Sequence, residues 1–273
     1  MEDNKKNYDE ELDIEDIDDL EPDKLFPECT CMRSDKLKML FDFSGEELLK
    51  YEGSEDYVKI PYGVNTIGPA AFSYNAFLSY VDIPDSVEKI DDYAFYFCPY
   101  VGGPLGNNVK YIGKYAFVSG DGEYRRVEFP DSVEYIGESA FSLLIFDKLP
   151  KNLKHIGTAA FMRSMWCREG ALRDDSLMFS EEEWYAEIPD KVTTIEEFAF
   201  FDVELGCGCR GIWIPLSVKK IGKKAFGHYP KFVEGRIHTL YYEGSEEQWK
   251  AIDIDNSDNW LNDIEVKFNC KPI

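Results

Sequence analysis

The sequence lacks the motifs on which most enzymes depend. It has only three histidines among 273 residues. The motifs G-x-S-x-G, H-E-x-x-H and G-x-x-x-x-G-K-[ST] do not occur. His155 lies inside a repeat described below, at a position typical of a surface side chain. These absences predict a protein that is not an enzyme and that has no catalytic residue and no cofactor.

The sequence also lacks the signals of export and of membrane insertion. Met1 is followed by Glu2 and Asp3, with neither the basic region nor the apolar region of a secretory signal. No apolar run approaches the length of about 18 residues that marks a membrane-spanning helix. We therefore expect a cytoplasmic protein that does not insert into a membrane.

Basic residues are scarce relative to acidic ones. The chain has 30 Lys and Arg against 53 Asp and Glu, a formal net charge of −23. Residues 1–23 alone hold twelve acidic residues and two Lys, which gives a net charge of −10. We predict an acidic disordered tail there, because so few apolar residues cannot form a core. The charge excess disfavours nucleic acid as a partner.

The cysteines give no clear disulfide or metal pattern. An odd number of them without a leader favours reduced thiols. Two C-x-C pairs suggest zinc, but the commoner zinc spacing is C-x-x-C and the pairs lie near opposite ends of the chain. We therefore predict free thiols and no metal site. The seven residues are Cys29, Cys31, Cys98, Cys167, Cys207, Cys209 and Cys270.

A repeated pattern, I-P-x-x-V-x-x-I-G-x-x-A-F, occupies most of the chain. We call each copy a coil and its residue before the proline the origin. The seven origins are Ile60, Ile83, Leu105, Phe129, Leu149, Ile188 and Ile214, in steps of 23, 22, 24, 20, 39 and 26 residues. A period in the low twenties is that of a leucine-rich repeat, whose units bury their apolar sides against one another. The sequence predicts a solenoid of short parallel strands with irregular or helical return segments, capped at both ends.

Each recurring residue type has a predicted role. The alternation in Tyr80 to Ile83 predicts a strand that the proline ends, because proline has no N–H for the ladder. Val, Ile, Ala and Phe recur in register and should stack in columns. The glycine after the second Ile predicts a turn with positive φ, at Gly68, Gly113, Gly137, Gly157 and Gly222.

These residues resemble the BspA-like, or Treponema-type, leucine-rich repeats of many bacteria and some protozoa, over about residues 56 to 245. No copy carries the Asn that forms the hydrogen-bond ladder of better-known leucine-rich repeats. The resemblance implies a surface or secreted protein of adhesion and interaction, with no catalytic residue. It thereby offers the cell surface as an alternative to the cytoplasm.

Outside the repeats, the sequence predicts two caps and one insertion. Residues 24–55 form the N-terminal cap, with a short helix after Ser44, and residues 233–273 form the C-terminal cap, with a helix after Ser245 that directs Trp249 and Ile252 inward. The seven repeats occupy 56–232 and carry an insertion near 162–183. In coil three, the glycines and proline of 101–106 predict a kink.

Two sets of residues are candidates for binding a partner protein. If the strands before the prolines line a concave sheet, their outward positions are Tyr57, Tyr80, Arg126, Phe146, Tyr185, Trp213 and Tyr241. The insertion adds Arg163, Trp166, Arg168 and Arg173. The same residues could equally be ordinary strand formers and a solvated loop.

The leading hypothesis is a non-enzymatic protein-protein interaction scaffold that uses the concave strand face and the Arg-rich insertion. The alternative is an extracellular adhesin or carbohydrate-binding module, whose exposed aromatic rings would stack on sugars. An enzyme would need a pocket of converging polar groups, for which the sequence gives no sign.

Overall fold

The computed structural model describes residues 31–34, 38–99, 105–118, 125–170, 182–228 and 236–271. In that part of the chain there are twenty-one strands, one α-helix, α1 (Glu246–Lys250), and one 3-10 helix (Trp260–Asp263). The strands are β1 (Cys31–Ser34), β2 (Met39–Asp42), β3 (Glu47–Tyr51), β4 (Tyr57–Lys59), β5 (Thr66–Ile67), β6 (Tyr80–Asp82), β7 (Lys89–Ile90), β8 (Tyr111–Ile112), β9 (Arg125–Arg126), β10 (Tyr135–Ile136), β11 (Leu144–Phe146), β12 (His155–Ile156), β13 (Met165–Trp166), β14 (Trp184–Glu187), β15 (Thr194–Ile195), β16 (Glu204–Leu205), β17 (Cys209–Ile214), β18 (Lys220–Ile221), β19 (Thr239–Tyr242), β20 (Asp253–Ile254) and β21 (Glu265–Lys267).

One sheet runs through every coil, and it lies after the prolines rather than before them. Its eleven strands are ordered β1-β2-β3-β5-β7-β8-β10-β12-β15-β18-β20. In each coil the second Ile of the repeat is buried in this sheet, as Ile90 and Ile136 are. The preceding residue, such as Lys89, points outward and pairs in register with its equivalent in the next coil.

Outside coil three, whose segment before the origin is not described, the predicted strands before the prolines are present, and together with β13, β16, β19 and β21 they form three shorter sheets. These are β4-β6, then β9-β11-β13-β16, and then β14-β17-β19-β21, all with parallel pairs. The leucine-rich-repeat solenoid is therefore confirmed, whereas the assignment of its continuous sheet to these strands is wrong.

The core between the sheets is a column of phenylalanine rings. Neighbouring rings from Phe72 to Phe226 lie 4.9 to 5.9 Å apart, centroid to centroid, and nearly parallel. In the first six coils, the backbone N–H of this Phe donates to the carbonyl of the Ala in the next coil, as from Phe72 to Ala94 at 2.8 Å. Backbone groups thus form the inter-coil ladder that Asn side chains form in other leucine-rich repeats.

The repeat glycines do not have positive φ, contrary to the prediction. Positive φ occurs instead two residues later, at Ala70, Tyr93 and Tyr115 in coils one to three. The glycines are needed because the coils approach closely. A Cβ on Gly222 would lie 2.3 Å from the backbone nitrogen of Glu197 in the preceding coil.

The two caps differ from each other in kind. The helix predicted after Ser44 is wrong, because Asp42 and Ser44 accept the N–H groups of Glu47 and Glu46 in the turn of the β2-β3 hairpin. The helix predicted after Ser245 is confirmed as α1, with both hydrogen bonds of the capping box. Trp249 and Ile252 are buried, as predicted.

Several predictions fall outside the described residues. They concern the acidic tail of 1–23, most of the kink at 101–106, Arg173 and the Cys29 thiol.

Candidate interaction surfaces

The outward positions of the first strands before a proline are exposed as predicted. Tyr57 and Tyr80 pair across β4 and β6, and their rings stack with centroids 5.4 Å apart. Tyr57 is 53% exposed. Arg126 on β9 is also exposed.

Three of the predicted contact residues are buried, so the prediction of an outward side chain is wrong for them. The pairing of Ile145 with Arg126 turns Phe146 inward. Trp166 pairs with Phe146 and packs on it at 5.0 Å, and its Nε1 donates to the carbonyl of Asp147. Trp213 on β17 is only 8% exposed.

The predicted insertion does not present its Trp together with its Arg residues. Arg163 is exposed in the turn of coil five, with a φ of 59°. Arg168 forms an ion pair with Glu182, with 2.6 Å between Nη1 and Oε2. Because Trp166 is in the core, Arg163 and Arg168 are the members of this set within the described residues that can reach a partner.

Tyr185 and Tyr241 meet on the outer face of the C-terminal sheet. Their rings are in edge-to-face contact at 4.9 Å, and the Lys267 ammonium lies 5.2 Å from the centroid of the Tyr241 ring. Gly211 between them has a φ of 143°, and a Cβ there would approach Tyr241 to 3.0 Å. The glycine therefore leaves the space in which the two rings touch.

A larger group of aromatic rings lies on the turns of coils one to three. We call Tyr74, Phe77, Tyr93, Tyr96, Phe97 and Tyr115 the aromatic patch. Tyr74 is 69% exposed, Phe77 64% and Phe97 40%. Tyr96 contacts Tyr74, Tyr93 and Phe97, with centroid distances of 4.5 to 5.6 Å. Sequence analysis missed these residues, although aromatic residues recur beside the A-F pair in coils one to three.

A second aromatic row lies on the outer face of the eleven-stranded sheet. Tyr111, Tyr135 and His155 stack with centroids 4.7 Å apart, and Lys89 lies over the Tyr111 ring. Burial lowers the pKa of His155, while the nearby charge of Glu196 opposes this shift. The stacked rings present their edges rather than their faces.

A groove of about 920 Å³ separates coil five from coil six. We call it the interstrand groove, bounded by Asp147 and Lys148 on one side and by Trp184 to Glu187 on the other, with Trp213 in its lining. Burial raises the pKa of Asp147 and of Glu187. Indole and phenol rings therefore lie beside carboxylates in one cleft.

No cluster of three or more His, Cys, Asp and Glu residues that could hold a metal is found in the described ranges. Cys207 is exposed, Cys209 and Cys270 are half-buried, and all three are free thiols, as are the buried Cys98 and Cys167. Within the same ranges, no helix is both long and apolar enough to span a bilayer.

The repeat pattern identifies the family. The model of the BspA type leucine-rich repeat region matches residues 44–167 and 178–243 in six copies. This chain belongs to that family. Membership indicates a role in protein interaction or surface adhesion, and repeats of this family are generally non-enzymatic.

Solved structures of leucine-rich repeat proteins match parts of this chain. One from Bacteroides ovatus is 18% identical, with a TM-score of 0.47, over 83% of this chain and 58% of that one. A leucine-rich cell surface protein from Faecalibacterium prausnitzii is 24% identical, with a TM-score of 0.31, over 72% and 62%. This chain thus spans about three fifths of each structure's length. No curated protein matches the sequence.

Proposed function

We propose that this BspA type repeat protein is a non-enzymatic scaffold that binds a partner protein through the aromatic patch. The supporting observation is that exposed large apolar side chains are concentrated in one part of the chain. Of the eight exposed large hydrophobic side chains in the described part, seven lie between Phe43 and Phe97. The core does not use them, and large aromatic groups on a surface are typical anchors of a protein interface.

The outer strand face is the second part of the proposed contact surface. Tyr57 and Tyr80 are exposed and lie in coils one and two, which also carry most of the patch. Arg126, Arg163, Arg168, Tyr185 and Tyr241 remain candidate contact residues, whereas Phe146, Trp166 and Trp213 do not, because they are buried.

The proposal is tested by capture of ligands with the tagged full chain, from lysate and from culture medium separately. The variant Tyr74→Ala/Phe97→Ala removes two rings of the patch, and Leu216→Ala is the matched control, because Leu216 is the one exposed large hydrophobic residue outside residues 43–97 in the described part. We expect the double variant to lose the partner by on the order of a hundredfold in affinity. The control should bind as the wild type does, and both variants should have the unfolding temperature of the wild type.

The alternative of an adhesin or carbohydrate-binding module is distinguished in the same experiment. A glycan array on which the wild type binds and the double variant does not would favour that module, with stacking of sugars on the Tyr and Phe rings. A protein that the double variant captures as well as the wild type contradicts the assignment of the patch. Cytoplasmic or surface location follows from which of the two extracts holds the partner.

A further inference from the structure

The interstrand groove exists because the pairing of strands before the prolines is interrupted. In coil five, β11 pairs with β13, and β13 pairs with β16. Strand β14 of coil six instead begins a new sheet and pairs only with β17. In the described part of the chain, β14 therefore has one unpaired edge, and the groove lies beside it.

The backbone of β14 identifies which groups face the groove. The N–H groups of Trp184 and Ile188 donate to the carbonyls of Gly208 and Trp213 on the side of β17. Alternate residues of a strand direct their N–H and C=O groups to opposite sides. Those of Tyr185 and Glu187 accordingly face the groove, and neither residue has a backbone partner on that side in the described part.

The lining of the groove carries more negative than positive charge, with six carboxylate side chains against four Lys and Arg side chains. Lys148 pairs with Glu169 at 3.1 Å, and Lys151 pairs with Asp131 at 3.1 Å. Within the described ranges, no Lys or Arg forms an ion pair with Asp147 or Glu187. A cationic ligand would complement these two carboxylates.

One side chain in the lining of the groove has an unsatisfied polar atom, the indole N–H of Trp213. It lines the groove, is more than nine-tenths buried, and its Nε1 has no hydrogen-bond acceptor in the described part. Buried indole N–H groups are normally satisfied.

We propose that the interstrand groove binds an extended basic peptide of a partner protein, which adds as a strand to the free edge of β14. Tyr185 and Glu187 are two residues apart and so project from the same face of β14. Lys or Arg residues at alternate peptide positions would lie over the Tyr185 ring and beside the Glu187 carboxylate. Backbone hydrogen bonds would supply affinity, and the Tyr185 and Glu187 side chains would favour a positively charged peptide over a neutral or acidic one. This site is separate from the aromatic patch.

The test uses the full chain and a short fluorescent peptide in which Lys alternates with Thr. A second peptide with Glu in place of Lys tests the charge, and a third with Pro in place of Thr tests strand addition, because Pro removes N–H groups. We expect saturable binding of the Lys peptide, detected by fluorescence anisotropy, and no binding of the other two. Hydrogen exchange should slow at the amides of Tyr185 and Glu187 when the Lys peptide is bound.

Variants separate the groove from general attraction to an acidic protein. We expect Glu187→Gln/Asp147→Asn to weaken binding by about fivefold to tenfold. Glu265→Gln, an exposed carboxylate on β21 of the same sheet, should have no effect. Tyr74→Ala/Phe97→Ala should bind the peptide normally, so that failure of the groove and failure of the aromatic patch are distinguishable.

Four results would overturn the inference. They are the absence of saturable binding, equal binding of the Pro peptide, equal weakening by Glu265→Gln, and unchanged exchange at Tyr185 and Glu187. Slowed exchange at these two amides with a glycan, and not with the Lys peptide, would assign the groove to a sugar.

Discussion

At the scale of single residues, the glycine of the repeat is required by distance and not by dihedral angle. A glycine is suited both to close approach of two backbones and to positive φ, so the sequence pattern alone does not distinguish these two requirements. The structure separates them, since Gly113 and Gly222 lie against the backbone of the preceding coil, whereas positive φ is borne by residues with side chains, such as Tyr93 and Lys224.

Substitution of this glycine should therefore destabilise the solenoid by steric overlap. In Gly222→Ala the new methyl group would lie 2.3 Å from the nitrogen of Glu197, so the two coils must separate. We expect a loss of about 1–3 kcal/mol in the free energy of unfolding, measured from the urea midpoint. Gly206→Ala is the control, because the nearest atom to its Cβ would be 3.3 Å away. Equal losses in the two variants would refute the explanation.

At the scale of elements, the sequence predicts long features better than short ones. The strands of the eleven-stranded sheet contain two residues per coil, too few to show an alternation of apolar and polar residues. Most strands before the prolines are longer, with three to six residues, and the sequence predicts them. The helix predicted after Ser44 is wrong because an acceptor side chain before a glycine is typical of a hairpin turn as well as of a helix start. Gly45 has a φ of 74°, which favours the turn.

The ring stack on that sheet should make stability depend on pH through His155. Burial lowers its pKa in the folded state, so the unfolded chain binds a proton at higher pH than the folded one. The stabilising contribution of neutral His155 is thus complete above the ordinary pKa of about 6.5 and is lost as the pH falls through the lower, folded value.

His155→Tyr should remove this dependence, because Tyr already occupies the same position in the two preceding coils and a tyrosine, with an ordinary pKa of about 10, is neutral between pH 5 and pH 8. We expect the variant to gain more in unfolding temperature at pH 5 than at pH 8, relative to the wild type. Thr66→Tyr adds a ring at the same position of coil one, away from His155, and its effect should be the same at both pH values. A pH-independent effect of His155→Tyr would contradict the assignment.

At the scale of the whole molecule, the stacking of coils can be predicted from the repeat. The break in strand pairing at β14, where a new sheet begins, cannot. The columns of Val, Ile, Ala and Phe could be predicted because each position recurs in register. The inward turn of Phe146 and Trp166 could not, because it depends on how β9, β11 and β13 pair across coils of unequal length. The insertion can be located from the sequence, whereas the edge of β14 that has no partner among the described residues cannot.

The N-terminal hairpin has a role that only the whole solenoid defines, which is to close the open end of the core. Leu48 of β3 is fully buried and pairs with Ile67, while the Tyr51 ring packs on Phe72 at 5.3 Å. Deletion of residues 1–52 would expose the apolar columns and leave β5 as an unpaired edge. We expect a lower unfolding temperature and concentration-dependent association, measured by thermal scans and light scattering. Deletion of residues 1–30 keeps the hairpin and should leave both the unfolding temperature and the state of association unchanged. If this smaller deletion caused association, residues 1–30 would be what prevents contact between chains, and the hairpin alone would not be sufficient.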